Sequence, residues 1–326
     1  MLVLSADDVA ALLDLDELVG AVEAAMVDLS AGRASMPSRV AASVTDRRAM
    51  LAAMPAFLPS AGALTTKLVS LFPENTDRPT HQALICCFDP VTGSPLAVMD
   101  GTYVTATRTA AGSALAARLL ARKNAEVVSV IGTGVQAGTH ARALIRLPQV
   151  KLVQIAGRDR SKVARLIDDL AEAAVAAQPA SSIEDAVRSA DIVCVATHAD
   201  APVVRRAWLR PGTHINSVGY NTAGAGEIDG ETVRDALVVV ESRAAALGAP
   251  PSGAVELRRA IEAGLIGADY IPTEIGEIAA GQATGRIDDE QLTLYKSVGV
   301  AVQDAAAAAL ILQAARARGG GLSVDM

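Results

Sequence analysis

Residues 127–137 read VVSVIGTGVQA, an apolar and largely β-branched run followed by a GxGxxA turn. The run predicts a buried strand, and the spacing after it predicts a helix over residues 136–147. The chemistry of the turn follows from residue size. Gly132 suits a tight bend, Gly134 lets backbone approach a pyrophosphate, and small Ala137 lets the helix sit on the strand. The start of that helix offers free N–H groups to an anion. A glycine turn without a ligand has the same letters, so the setting decides. Behind the turn come LVQIAG (152–157), a helix over 161–177, IVCVAT (192–197), HINSVG (214–219) and LVVVE (237–241), and after about Ala249 the chain reads as helical again. Short apolar runs alternating with helices predict a parallel sheet covered on both faces, and hence an α/β domain that binds a dinucleotide.

The tip of the second strand should meet the adenosine ribose, about 20 to 25 residues beyond the glycines. A carboxylate at the tip favours the free 2′-hydroxyl of NAD, but here Gly157 is followed by Arg158, whose guanidinium suits a 2′-phosphate. NADP is therefore the expected cofactor and NAD the alternative. In the competing arrangement Asp159 takes the ribose while Arg158 stacks over adenine.

Outward from this stretch, 326 residues leave room for a second domain. Apolar residues make up 51% and aromatics 2%, so the interior must be filled mainly by Ala, Val, Leu and Ile, which argues against a binder built on aromatic stacking. The net charge of −7 is spread without a Lys/Arg block, which leaves no footprint for nucleic acid or an anionic membrane surface. Asp7 and Asp8 stand where a signal peptide would need positive charge, and no apolar run reaches the roughly 18 residues of a membrane span. Cys86, Cys87 and Cys194 form neither a CxxC pair nor a disulfide framework; a reducing, cytoplasmic location and a site without metal are expected. Ahead of the dinucleotide domain, Ser5 precedes an amphipathic helical stretch. Residues 40–44, 50–54, 64–72 and 83–88 then read as antiparallel strands punctuated by Pro and Gly, with DPVTG as a turn, before a long helix over 103–120.

A nicotinamide enzyme must also hold and protonate a substrate. The cations outside the dinucleotide domain that could do so are Arg39, Lys67 and Arg108. Lys67 lies inside the apolar stretch LTTKLVSLF. It is either an edge residue whose stem snorkels or an inward lysine with a depressed pKa suited to proton transfer. Arg108, among small residues on its helix, either reads a substrate carboxylate or pairs with one of the chain's own.

The series MPSRV, AMPAFLP, TTKLVSLFPEN, HQALICCFDPVTGSPLAVMDG, TATRTAAGSALAARLLAR, IGTGVQA, GTHINSVG and EIGEIAAG through LYKSVGVAVQDAAAA resembles, in order and spacing, the ornithine cyclodeaminase/mu-crystallin family, over nearly the whole chain. The resemblance implies a Rossmann domain over 121–299 and an α+β substrate-binding and dimerisation domain over 1–120 with a return of 300–326. It implies a homodimer whose sheets join into a closed barrel, and an active site in the cleft between the domains. It also implies that Arg39, Lys67 and Arg108 bind a substrate carboxylate, with Lys67 moving a proton or polarising a water. Val135 and Gln136 match pyrophosphate contacts, Thr197 a residue beside the adenosine, Val218 to Asn221, including Tyr220, the loop under the nicotinamide, and Val298 a wall of the substrate site.

Two departures matter. Cyclodeaminases and archaeal alanine dehydrogenases of the family carry an acid–base aspartate where this chain has Asn221, which can orient an imine or amine but cannot exchange a proton. Cyclodeaminases carry a glutamate, which helps hold the amino end of ornithine, where this chain has Ala52. The expected activity is NAD(P)H-dependent reduction of a small carboxylated imine, such as the cyclic ketimine pyrroline-2-carboxylate, to an amino acid. The alternatives are an amino-acid dehydrogenase or cyclodeaminase of the same family, and a nucleotide-dependent small-ligand binder with little turnover.

Overall fold

The computed structural model describes residues 1–171, 175–219, 224, 226–249 and 253–325. The chain divides into two compact units, Met1–Arg108 with Gly299–Met326, and Thr109–Val298.

The first unit begins with β1 (Leu2–Leu4), α1 (Ala6–Leu12) and α2 (Leu15–Ser30). Both helix starts are written in the sequence: Ser5 and Asp8 form a reciprocal capping box, and Asp14 accepts from the N–H groups of Asp16 and Glu17. Five strands follow, β2 (Val40–Val44), β3 (Ala49–Leu58), β4 (Ala63–Leu71), β5 (His81–Phe88) and β6 (Pro95–Asp100), and then α3 (Gly101–Leu120). The DPVTG turn joins β5 to β6: Asp89 accepts from the N–H groups of Val91 and Thr92, and Gly93 supplies the positive φ of 74°.

The second unit continues with β7 (Val127–Ile131), α4 (Val135–Leu144), β8 (Leu152–Ala156), α5 (Arg160–Asp168), β9 (Ala176–Pro179), α6 (Ile183–Ser189), β10 (Ile192–Val195) and β11 (His214–Ser217). After these come α7 (Gly230–Asp235), β12 (Leu237–Val240), α8 (Arg243–Ala246), α9 (Val255–Glu262), β13 (Thr273–Glu274), α10 (Ile275–Ala279) and β14 (Thr293–Lys296). The chain then returns to the first unit with α11 (Ala301–Arg318) and β15 (Leu322–Ser323).

The first unit is built on a seven-stranded mixed sheet in the order β15-β1-β6-β5-β4-β3-β2. Only β1 and β6 run parallel; the other pairs are antiparallel. Burial alternates along β4, where Ala63, Thr65, Lys67 and Val69 are buried, as period-two geometry requires when one face is covered. The covering element is α11, which packs on β3 and β4, and α2 packs in turn on α11. The alanines of α11 let its backbone come close. The opposite face leaves Leu51 and Leu84 about half exposed, at 52% and 50%, and all five residues of the edge strand β2 are exposed.

The second unit carries an eight-stranded parallel sheet in the order β13-β12-β14-β11-β10-β7-β8-β9. Successive residues serve opposite faces. Val128, Val130, Val153 and Ile155 join one apolar cluster with Ala137, Ala141 and Leu144 of α4, whereas Ile131, Val193, Val195 and Ile215 join a second. Two covered faces explain why the strands read as unbroken apolar runs. The chain lays β7, β8 and β9 outward in one direction and then returns to place β10 on the other side of β7, which makes the β7/β10 junction the point where strand order reverses.

Two segments differ from expectation. The helix expected over 161–177 ends at Asp168, and Ala176–Pro179 pairs with β8 at the sheet edge instead, its backbone taken up by the sheet. The region beyond residue 249, expected to be helical, contains β14, a four-residue strand too short to show a period yet wholly buried between β11 and β12. No described helix is long and apolar enough to cross a membrane.

Candidate functional site

Three expected cations gather in the first unit. Lys67, central on β4 and 2% exposed, points to the covered face, so it is not an edge residue. Its Nζ lies 2.8 Å from Asp304 Oδ2 and 3.4 Å from Thr105 Oγ1. Arg108 donates through Nε to Asp304 Oδ1 at 3.1 Å and through Nη1 to Gln303 Oε1 at 2.7 Å. Arg39, half-buried, donates through Nη2 to the carbonyl of Gly299 at 3.0 Å. Gly299 has a φ of 72°, and a Cβ there would stand 2.9 Å from Arg108 Nη2, so a glycine is what lets the guanidinium lie against the backbone.

The electrostatics are those of a crowded cation site. Lys67 and Arg108 both pair with Asp304, and Lys67 also feels the charge of Arg39. Burial pushes Lys67 down to about 8, Asp304 pulls it back up, and Arg108 and Arg39 push it down further. Burial pushes Asp304 up, but Lys67 and Arg108 outweigh it and hold the carboxyl below its ordinary value. His81, the first residue of β5, is pushed down to about 4 by burial and by the charges of Lys67 and Arg108, so it is neutral at pH 7. Gln303 Nε2 is buried with no hydrogen-bond acceptor, a donor that an incoming oxyanion would satisfy. Such a cluster can grip a small carboxylate and hold a transferable proton on Lys67.

The second unit carries the glycine turn. Gly132 has a φ of 131°, and a Cβ there would stand 2.4 Å from the carbonyl oxygen of Ala196, so the turn lies against the residue that follows β10. Gly134 is the N-cap of α4 with no capping side chain, and a Cβ there would meet nothing within 4 Å. Val135 is 73% exposed, Ala137 is fully buried on the strand, and Gln136 Oε1 is buried without a donor. An uncapped helix start with open space before it can hold a phosphate. At the second strand tip, a Cβ on Gly157 would stand 2.7 Å from Thr133 Cγ2. Arg158 is exposed and makes no ion pair with a described residue, while Asp159 is the N-cap of α5, its Oδ1 accepting from Ser161 and Lys162. Thr197 is held by Glu227 through its N–H at 2.6 Å and its hydroxyl at 2.9 Å. Val218 donates to the carbonyl of Val195, and Val298 donates to Glu241 Oε2 at 2.9 Å. Tyr220 and Asn221 lie outside the described residues.

Sequence reasoning missed Asp304, Gln303, His81 and Glu227. Asp304 had a signal, a lone carboxylate in VQDAAAA with no basic residue three or four positions away on the helix to pair with. The others had none, since their role depends on partners far along the chain.

Comparison with known proteins gives the family and the fold. The pattern of the ornithine cyclodeaminase/mu-crystallin family matches residues 1–319. The chain is 37% identical over 299 residues to the ketimine reductase mu-crystallin of Mus musculus, covering 90% of each. Among solved structures, it superposes on Δ1-pyrroline-2-carboxylate reductase of Thermococcus litoralis in complex with NADH and L-proline with a TM-score of 0.93 and 36% identity, covering 99% of this chain and 100% of that one. An archaeal alanine dehydrogenase dimer with bound NAD gives a TM-score of 0.92 and 34% identity, with 100% and 99% coverage. The chain belongs to the ornithine cyclodeaminase/mu-crystallin family.

Proposed function

We propose that this protein is an NAD(P)H-dependent reductase of a small carboxylated imine, with a cyclic ketimine such as pyrroline-2-carboxylate as substrate and an amino acid such as proline as product. The observation that carries the reading is the pairing of buried Lys67 and Arg108 with a single internal carboxylate, Asp304, with the charge of Arg39 close enough to act on Lys67. A hydrophobic ligand gives no reason to bury such charges, which weighs against a pure binder.

The open, uncapped turn at Gly132 and Gly134 fits a dinucleotide pyrophosphate beside Val135 and Gln136, with Thr197, Val218 and Tyr220 along the remainder. When bound, the dinucleotide supplies the hydride. This chain's residues do the rest. Arg39 and Arg108 take the substrate carboxylate by charge-assisted hydrogen bonds and so fix the neighbouring carbon, with Val298 as a wall. Asp304 keeps Lys67 and Arg108 in place. Lys67, with a pKa of about 8, holds a proton at neutral pH and passes it to the imine nitrogen, whose protonated form accepts hydride without further activation. Asn221 orients that nitrogen by a hydrogen bond. Ala52, buried on β3 beside Met54 on the Lys67 face, offers no charge for a second amino group, which disfavours ornithine.

NADPH is the preferred donor in this reading, with NADH the alternative. Asp159 is already committed as a helix cap, whereas exposed Arg158 is free for a 2′-phosphate. Arg158→Ala is expected to weaken NADPH binding about 10- to 100-fold, the worth of a charge-assisted contact, with NADH changed less than about 3-fold. Titration of cofactor fluorescence checks this, and equal losses return Arg158 to stacking over adenine.

The activity itself is read at 340 nm. Loss of NADPH absorbance on adding pyrroline-2-carboxylate is the expected result. The likeness to alanine dehydrogenase keeps a second reading, oxidation of a small amino acid, and reduction of NAD by alanine without imine turnover would establish it instead. The proposal includes a homodimer closed through the exposed edge strand β2 and the half-exposed Leu51 and Leu84 face. Light scattering of the purified protein is expected to give twice the mass of the 33.3 kDa chain, and a monomer mass removes it. The free cysteines suit a reducing compartment, and a cytoplasmic location belongs to the same proposal.

A further inference from the structure

We infer that Glu227 is a positioning residue that fixes the loops after β10 and β11 against the glycine turn; the inference rests on the dinucleotide reading above. In an open parallel sheet, ligands bind outside the carboxyl ends of the strands where strand order reverses, here at the β7/β10 junction. Gly132 and Ala196 touch at that junction, and Thr197 is the next residue.

Glu227 Oε1 accepts from Thr197 N at 2.6 Å and Thr197 Oγ1 at 2.9 Å; Oε2 accepts from Gly219 N at 2.6 Å and Ser217 Oγ at 3.1 Å. Thr197 Oγ1 receives the Ala199 N–H at 3.3 Å, and Ser217 Oγ receives Lys296 Nζ at 3.2 Å, which leaves the hydrogen of each hydroxyl available to Glu227. Burial and the like charge of Glu256 push this carboxyl upward, against the pull of Lys296 and the Thr197 donors. The four donors around its two oxygens favour the ionised form.

The peptide at Gly219 is gripped from both ends, its N–H by Glu227 and its carbonyl by Lys296 Nζ at 3.0 Å. A Cβ on Gly219 would stand 2.2 Å from Glu227 Cδ, so the glycine is required by the carboxylate. Lys296 also pairs with Glu256 Oε1 at 3.0 Å, which receives the Glu227 N–H at 3.2 Å. Lys296, Glu227 and Glu256 are each no more than 2% exposed. Burying three ions to hold strands together is expensive where apolar packing would serve. What the ions hold is specific, the backbone N–H groups at two neighbouring strand tips beside the phosphate turn.

The test is Glu227→Gln in the full chain. An amide cannot accept at both ends, so its NH₂ must oppose the N–H of either Thr197 or Gly219. In the cofactor-free protein, hydrogen exchange at one or both of these amides is expected to quicken at least about 10-fold while Val193 and Val195 in β10 stay protected. NADPH affinity, read by fluorescence, is expected to fall about 10-fold and kcat at least as far, with KM for the imine changed less than about 3-fold at saturating NADPH. Unchanged exchange, or faster exchange with NADPH affinity and kcat unaltered, overturns the inference. Should Glu227→Gln not fold, Ser217→Ala removes one donor of the four, and the same two readouts must move in the same direction by a few-fold or the inference fails. Wild-type protein that binds neither NADPH nor NADH overturns the dinucleotide reading and this inference with it; binding by wild type that the variant matches overturns the inference alone.

Discussion

Lys67→Met is expected to lower kcat for the carboxylated imine by about 10² to 10⁴-fold, the range for removing a positioned proton donor. Methionine fills a similar volume, and Asp304 keeps Arg108 as its partner, so the fold should survive. The pH profile separates proton transfer from carboxylate binding. Lys67 is pushed down to about 8, and activity that needs its protonated form should be full at lower pH and fall as pH rises through that value. In Lys67→Met this descending limb should disappear from whatever activity remains. A variant within a few-fold of wild type, with the limb intact, removes Lys67 from the reaction.

Asp304→Asn should be the most destabilising single change in the first unit. It leaves Lys67 and Arg108 buried, at 2% and 4% exposure, without the carboxylate they pair with, and breaking a buried pair in this way costs about 3 to 5 kcal/mol. Urea unfolding checks the magnitude. Without the pull of Asp304, Lys67 should lose its proton more readily, so the descending limb should move below about 8. A product carboxylate can stand in for the missing charge, so proline should raise the melting temperature of the variant more than that of wild type. For wild type the sign also follows. Asp304 is held below its ordinary value of 3.8, so its stabilising effect is present above that pH and is lost as the pH falls below it through the folded-state value. A variant as stable as wild type would show that Asp304 is not the partner these cations require.

The sequence was most legible where chemistry is local. GxGxxA reads as a turn because its glycines and alanine act within six residues, and β7 and α4 fall where those letters put them. The antiparallel strands of the first unit were equally plain, since Pro, Gly and DPVTG mark their ends. Arg39, Lys67 and Arg108 were found as cations in apolar or small-residue surroundings, but the sequence left open whether Arg108 met an internal carboxylate. It does, and the carboxylate is Asp304, 196 residues away. Glu227 was invisible for the same reason, because a glutamate ahead of a helix reads as an exposed charge until Thr197 and Gly219 are seen to meet it. The β14 strand escaped because four buried residues carry no period.

The return of α11 to the first unit has a consequence for synthesis. A ribosome releases Arg39, Lys67 and Arg108 long before Asp304, and β1 before its partner β15. Until α11 emerges, strands β3 and β4 lack their covering helix, and Lys67 and Arg108 lack the Asp304 carboxylate. The dinucleotide unit, by contrast, is contiguous from Thr109 to Val298 and can close as soon as it clears the exit tunnel. Synthesis therefore serves the two units unequally: the middle of the chain has its partners in hand once it is made, whereas the segment before it must wait for the segment after it.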